Sequence, residues 1–345
     1  MSGAVLDRVS RRGLAIAIVG ALTGVLLTAT PAAAATCGTF SGGTLTIAPS
    51  GSNETVTVAR TAGGTITVNG AACTATVTST NTIVFPNPGV NRSETFVIDT
   101  TNGPFAPGAD EVGDPTAEIE WSLDFGGGNG DALQVLGGSG ADVITLGTGG
   151  FNLSGDADAD GAVPANNENY QLSGAGGSDT ISAAGSAATG SGFNGAVTMN
   201  GGADNDTITG GPANDTINGD DGADVLDGGV GNAGNAYDAL RGGTAAGSDT
   251  STSDTVTYAS VSEAVTVDLA FAGFQLTGGA YYDDIAAIEN VVGTSATDTL
   301  TGNAGNNSIT GAGANDTISG AAGNDTFPQG IAAEGADAIS GGDGT

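Results

Sequence analysis

In the stretch GGADNDTITGGPANDTINGDDGADVLDGG, residues 201–229, a carboxylate recurs every nine residues, at Asp206, Asp215 and Asp224. Two positions after each stands a branched apolar residue, Ile208, Ile217 or Leu226, and glycine fills most of the remainder. Carboxylates set at a fixed period in pliable turns are hard oxygen donors, and the chemistry open to them is ligation of a divalent cation. A lone aspartate in a glycine turn has a plainer use, as a hydrogen-bond acceptor for its own backbone. Strict repetition favours the ion, because a fixed period stacks one carboxylate upon the next.

The same unit occurs elsewhere. GGGNGDALQ (126–134), GGSGADVIT (137–145) and GAGGSDTIS (174–182) are early copies, with Asp131, Asp142 and Asp179 at the acidic position. Taking the second apolar slot, positions 172, 181, 190, 199, 208, 217 and 226 read as one unbroken register. In GFNGAVTMN (192–200) the glycines and Met199 persist, but Val197 replaces the aspartate, so a coil without a ligand is expected there. Four further units, GTSATDTLT, GNAGNNSIT, GAGANDTIS and GAAGNDTFP, run over 293–328 and carry Asp298, Asn307, Asp316 and Asp325. The pattern G-G-x-G-x-D-x-U-x resembles the calcium-binding nonapeptide repeat of RTX proteins. That resemblance covers roughly 126–345, with gaps, and implies an all-β fold: a parallel β-roll, or β-helix solenoid, whose turns bind several Ca²⁺ ions.

Elementary physics supports the same picture. Glycine tolerates the positive φ and close backbone approach of a tight six-residue turn. The three residues left over make a very short strand with its apolar side chain inward. Two units form a coil of eighteen residues, which places Asp206 over Asp224, Asp298 over Asp316 and Asn307 over Asp325. Stacked carboxylates about 5 Å apart repel by roughly 3 kcal/mol at an effective dielectric near 20. Burying one Ile or Leu returns only roughly 1.5–3 kcal/mol. A doubly charged ion between the turns converts that repulsion into coordination, and flexible all-oxygen loops suit Ca²⁺ better than Mg²⁺. The metal-ligand candidates are therefore Asp142, Asp179, Asp206, Asp215, Asp224, Asp298, Asp316 and Asp325. Asp179 and Asp215 lack an aspartate eighteen residues away and are expected to be weaker; Asp131, eleven before Asp142, is a poorer candidate. A separate candidate is DADADG, with Asp156, Asp158, Asp160 and Gly161, which matches the opening of an EF-hand loop. Its twelfth position is Asn167, with Glu168 one residue late, so the loop is either a distinct calcium site or a solvated acidic turn.

The elements that must position these residues are strands. From 37 to 125, segments such as ETVTVAR, GGTITVNG, NTIVFP and ETFVIDT alternate Thr with Val or Ile at period two, as short β-strands do. This region is either a small β domain or a worn beginning of the solenoid. A first array spans 126–229, a strand-rich insert 230–292, and a second array 293–345, whose last unit, GADAISGGDGT, ends barely begun, as in a truncated chain. Residues 1–36 read as a signal peptide, with Arg8, Arg11 and Arg12 before an apolar run and a small-residue cleavage region. An exported chain with two cysteines suggests a Cys37–Cys73 disulfide, whose loop closure would stabilise by roughly 3–4 kcal/mol.

Composition narrows the function. There are 38 acids against 6 arginines, lysine and histidine are absent, and the net charge is −32. Such a surface repels nucleic acid and anionic membranes and attracts cations. Without histidine there is no Ser-His-Asp triad and no H-E-x-x-H zinc site. The leading expectation is a secreted calcium-binding protein that folds on Ca²⁺ and is not an enzyme. Two alternatives remain. One is an extracellular β-helix enzyme acting on polysaccharides, for which Glu118, Glu120 and Asp124 near Trp121, with Arg60, Arg92 or Arg241, are the available groups. The other is a structural or adhesive spacer meeting some cell-surface macromolecule.

Overall fold

The computed structural model describes residues 34–50, 53–87, 89, 92–106, 108, 118–127, 130–164, 169–230, 237–243, 253–278, 281–328 and 335–343. The expected leader lies outside the described residues except for its last three positions. Ala32–Thr345 forms one compact unit.

Thr/Val/Ile alternation becomes short strands that stack in parallel on two faces. One face holds Thr55–Arg60, Thr95–Asp99, Ala132–Leu136, Asn169–Gly176, Val197–Ala203, Thr216–Asp221, Tyr237–Arg241 and Tyr281–Ala286. The other holds Val143–Leu146, Thr180–Ser182, Thr207–Thr209, Val225–Asp227, Thr255–Thr257, Asn290–Val292 and Ser308–Thr310. The chain alternates between these faces, so each pass is a coil of two short parallel strands joined by turns. The fold is an all-β parallel β-roll.

Every coil contributes a side chain to an inward column. On the second face the column runs Ile144, Ile181, Ile208, Leu226, Val256, Val291 and Ile309, each directly beside the next. On the first it runs Val58, Ile98, Val135, Leu172, Met199, Ile217, Leu240 and Ile285. Both columns belong to one continuous buried core. Branched aliphatics suffice because three-residue strands enclose a thin interior. Towards the N-terminus the strands lengthen and the core widens, and rings fill it: Phe85 against Phe96 at 5.2 Å, Phe96 against Trp121 at 6.2 Å, Phe105 against Trp121 at 5.0 Å.

The parallel stack extends through the N-terminal strands without interruption, since Thr55–Arg60, Thr95–Asp99 and Ala132–Leu136 are successive rungs. Thr44–Ala48, Thr82–Phe85 and Glu120–Leu123 form a second parallel set there. Cys37 and Cys73 are disulfide-bonded, joining Thr36–Ser41 to Ala71–Thr76 with Cα atoms 5.6 Å apart. The insert between the arrays also feeds the stack, supplying Tyr237–Arg241, Thr255–Thr257, Tyr281–Ala286 and Asn290–Val292. A further four-stranded parallel sheet, Thr266–Asp268, Thr299–Thr301, Thr317–Ser319 and Ala338–Ser340, carries the last coils.

The unbroken nine-residue register needs one correction. Position 190 is not a core slot. Gly185–Ser186 and Gly190–Ser191 pair as a small antiparallel hairpin outside the stack. Gly190 has no side chain to fill an inward position, and Leu172 pairs directly with Met199 instead.

Candidate metal centre

Each acidic residue of the repeat sits at the end of a turn, two residues before its inward apolar side chain. Its backbone N–H donates to a carboxylate oxygen of the next coil, which creates a ladder. On one edge the N–H of Asp142 donates to Asp179 Oδ1 (2.7 Å), Asp179 to Asp206 Oδ1 (2.8 Å) and Asp206 to Asp224 Oδ1 (2.8 Å). The series continues from Asp224 to Asp254 Oδ1 (2.9 Å) and from Asp254 to Glu289 Oε2 (3.1 Å), and Asn307 donates to Asp325 Oδ1 (2.9 Å). On the opposite edge Asp215 donates to Asp238 Oδ1 (2.8 Å). In the last coils Asp298 donates to Asp316 Oδ1 (2.8 Å) and Asp316 to Asp337 Oδ1 (3.0 Å).

One oxygen of each carboxylate is thus spent as a backbone acceptor, and the second is the one available to a ligand. Oδ2 of Asp179, Asp206 and Asp325 is buried and has no hydrogen-bond partner among the described residues. Such an atom costs free energy unless something satisfies it. Elsewhere Oδ2 accepts an N–H from its own turn: Gly138 to Asp142 (2.6 Å), Gly211 to Asp215 (2.7 Å) and Thr294 to Asp298 (2.6 Å).

The first glycine of the nonad has a specific reason to be there. A Cβ built on Gly174, Gly201, Gly219, Gly293, Gly311 or Gly320 would overlap Oδ2 of the aspartate five residues later. Oδ2 folds back over its own turn and occupies the space of the missing side chain. Glycine here is a steric cradle for a carboxylate, and φ freedom is a separate matter.

Burial dominates the electrostatics. Asp206 is 1% exposed, and desolvation pushes its carboxyl up to about 7, with Asp179 and Asp224 adding to the rise. Burial raises Asp179 as well, pushes Asp215 up to about 6, and takes Asp238 to about 8 with help from Asp283. Among the described residues the one ion pair is Arg241–Asp284 at 2.9 Å, and it neutralises none of these columns. Buried, stacked, all-oxygen and short of hydrogen-bond donors, the turns fit a hard divalent cation.

Several expectations change in detail. Asp179 and Asp215 are not short of acidic neighbours: Asp206, 27 residues on, and Asp238, 23 residues on, stand beside them. The strands that follow these acids pair in register although the spacing is not eighteen. Val197 leaves its rung without a carboxylate, as its sequence implies, and its N–H donates to Asp215 Oδ1 (2.8 Å). Asp131 belongs to a separate short column in which the N–H of Glu94 donates to its Oδ1 (2.9 Å), and burial pushes Glu94 up to about 7, with Asp131 adding to it. Asp156 and Asp158 gather with Glu118, and Asp160 lies close by. Burial pushes Glu118 up to about 9, with Asp156 and Asp160 adding to the rise. Glu120 lies half-buried on the strand of Trp121, and Asp124 is exposed and accepts the N–H of Gly126 (2.9 Å). Arg60 donates to the carbonyl of Pro104 (2.7 Å).

Residues that spacing alone misses are Asp238, Asp254, Asp283, Glu289 and Asp337. An acid two places before a buried apolar residue marks four of them, Asp238 before Leu240, Asp254 before Val256, Asp283 before Ile285 and Glu289 before Val291, whereas Asp337 precedes the exposed Ile339. Asp283 ends its column differently, because the hydroxyls of Tyr258 (2.8 Å) and Thr277 (2.9 Å) donate to its Oδ2.

Four copies of the RTX calcium-binding nonapeptide repeat match the chain, at residues 200–233 and 292–327. The turns of these two segments are RTX calcium-binding repeats. The matched RTX segments contain Asp206, Asp215 and Asp224 in the first array and Asp298, Asn307, Asp316 and Asp325 in the second. The ladder described above runs beyond these segments, through Asp254 and Glu289, which lie between them. No curated protein matches the chain.

Two outcomes follow. Gly201→Ala should cost about 1–3 kcal/mol by overpacking, whereas Gly140→Ala, with nothing within 4 Å of the added Cβ, should stay within about 0.5 kcal/mol; urea unfolding in saturating calcium compares them, and equal losses would contradict the cradle. The second concerns pH. Folded-state carboxyls raised above the unfolded value of about 4 stabilise most when protonated, and that contribution is lost as pH rises through 6 to 8. In chelator, the chain should therefore gain β signal and urea resistance as pH falls from about 8 to about 5; a loss over that interval would refute the assignment.

Proposed function

We propose that the chain is an exported protein whose β-roll folds on binding calcium outside the cell, and that it has no catalysis of its own. The observation that carries this reading is the carboxylate ladder from Asp142 to Glu289, in which the Oδ2 atoms of Asp179 and Asp206 are buried with no hydrogen-bond partner among the described residues. A thin aliphatic core cannot offset that many buried negative charges, and calcium at extracellular concentration fills sites of roughly 10⁻⁴–10⁻³ M affinity. Since the site exists only when coils are stacked, binding and folding are one equilibrium. Asp142, Asp179, Asp206, Asp215, Asp224, Asp298, Asp316 and Asp325 would hold the ions, with Asp238 and Asp254 joining them. The bound ions would supply positive charge between turns and nothing redox or hydrolytic.

The apolar, arginine-led segment of residues 1–36 supports export, and a calcium-poor cytosol would then keep the chain unfolded until it leaves. The rigid stack with acidic edges also suits a spacer at the cell surface, a role compatible with calcium-dependent folding.

Substitution by asparagine removes the charge and leaves a side chain the turn accommodates, as at Asn307, whose Oδ1 accepts the N–H of Asn303 in its own turn (2.9 Å) and whose Nδ2 donates to the Glu289 carbonyl (2.7 Å). In Asp206→Asn/Asp224→Asn the far-ultraviolet circular dichroism transition should move to higher calcium, while the metal-free chain becomes no less stable than wild type. An unchanged calcium midpoint would remove these two residues from the ligand set.

A further inference from the structure

We propose that Glu118 and the DADADG loop form a second kind of calcium site, built from residues outside the repeat turns. The loop returns beside the strand Glu120–Leu123, where Trp121 and Gly161 form a parallel bridge and the Trp121 N–H donates to the Asp160 carbonyl (2.7 Å). Gly161 must be glycine for this approach, since a Cβ would run into the Phe151 ring and the Trp121 carbonyl. That contact brings together two segments remote in sequence. Carboxylate oxygens of Glu118, Asp156 and Asp158 lie within 4.8 Å of one another. Glu118 is 6% exposed, and its Oε1 is buried with no hydrogen-bond partner among the described residues. A buried carboxylate with an unsatisfied oxygen, gathered with two other carboxylates, calls for a cation.

The loop is already shaped around this point. Asn152 Nδ2 donates to Asp156 Oδ1 (3.0 Å) and to the Asp158 carbonyl, while its Oδ1 accepts the N–H groups of Ser154 (3.1 Å) and Gly155 (2.6 Å). Asp160, 4% exposed, accepts the Leu153 N–H and closes the buried side. In an EF-hand loop the opening acids are completed by a glutamate at the twelfth position. Here Asn167 stands at that position, outside the described residues, and Glu118 brings the missing carboxylate from the neighbouring coil. Three or four carboxylates from two pliable segments, with no nitrogen or sulfur donor, select calcium over transition metals, and over magnesium with its stricter octahedron. The ion would pin the aromatic N-terminal core to the first repeats, because Glu118 and Asp160 share a small cavity with Phe105, Trp121 and Asp142.

Trp121, the single tryptophan of the chain, lies beside this place and beside Asp142, so it reports on an ion bound here, and the loop variants separate that ion from one held at Asp142. The experiment uses terbium(III), an oxygen-seeking stand-in for calcium, added to the full chain in calcium-free buffer with excitation at the red edge of the indole band. Sensitised emission should appear and calcium should displace it. It should be lost in Glu118→Gln and in Asp158→Asn but kept in Asp206→Asn/Asp224→Asn. Circular dichroism of each variant in calcium checks the fold. Should Glu118→Gln fail to fold, Asp158→Asn decides, since Asp158 is exposed. Emission that survives Asp158→Asn in a folded chain, or is abolished only by the repeat-array variant, overturns the site.

Discussion

The constraint on which the β-roll depends is the contact between carboxylates of successive coils at strand spacing. A parallel stack repeats every side chain at about 4.8 Å, so an acid placed once per coil becomes a column of like charges. The chain accepts this on both edges and buries the columns as well. Its apolar interior is a single aliphatic side chain per strand over most of the length, too thin to carry the repulsion unaided. With lysine and histidine absent, the proposed function draws the compensating positive charge from solution.

The details of the turn follow from that requirement. Each carboxylate is divided between a structural oxygen, which caps the neighbouring backbone, and a ligand oxygen folded over the first glycine of its own turn. The nonad's glycine and aspartate are therefore one device, and exchanging either removes the other's reason. Where hydroxyls are present the column can stop without an ion, as Tyr258 and Thr277 stop it at Asp283. Where valine replaces the acid, at Val197, the coil survives because stacking needs the inward side chain and not the charge.

Much of this was legible in the residues. The period of nine placed Asp206 against Asp224 and Asp298 against Asp316, and three-residue strands with a single inward side chain are what the nonad allows. Period was a poorer guide wherever the chain makes an excursion. The hairpin at 185–191 looks like another unit because it is rich in glycine, yet it lies outside the stack. Asp238, Asp254 and Glu289 were hidden for the opposite reason: loops of varying length separate them from their neighbours, so stacking is preserved while spacing is not. The more durable mark was local, an acid two residues before a buried apolar side chain, because backbone geometry enforces it at every coil. Glu118 carries no such mark. Its partners arrive only when the chain has turned back on itself, and no spacing rule encodes that.

The central claim, that the stack holds only while divalent ions lie among its carboxylates, is met most directly by urea unfolding of the full chain at neutral pH and fixed ionic strength. Three conditions suffice: chelator, millimolar calcium, and sodium chloride matched for ionic strength. The account predicts a cooperative β-to-coil transition in calcium at a midpoint far above that in chelator, with sodium no substitute. A chain that keeps its β signal and its urea midpoint after complete chelation would contradict it.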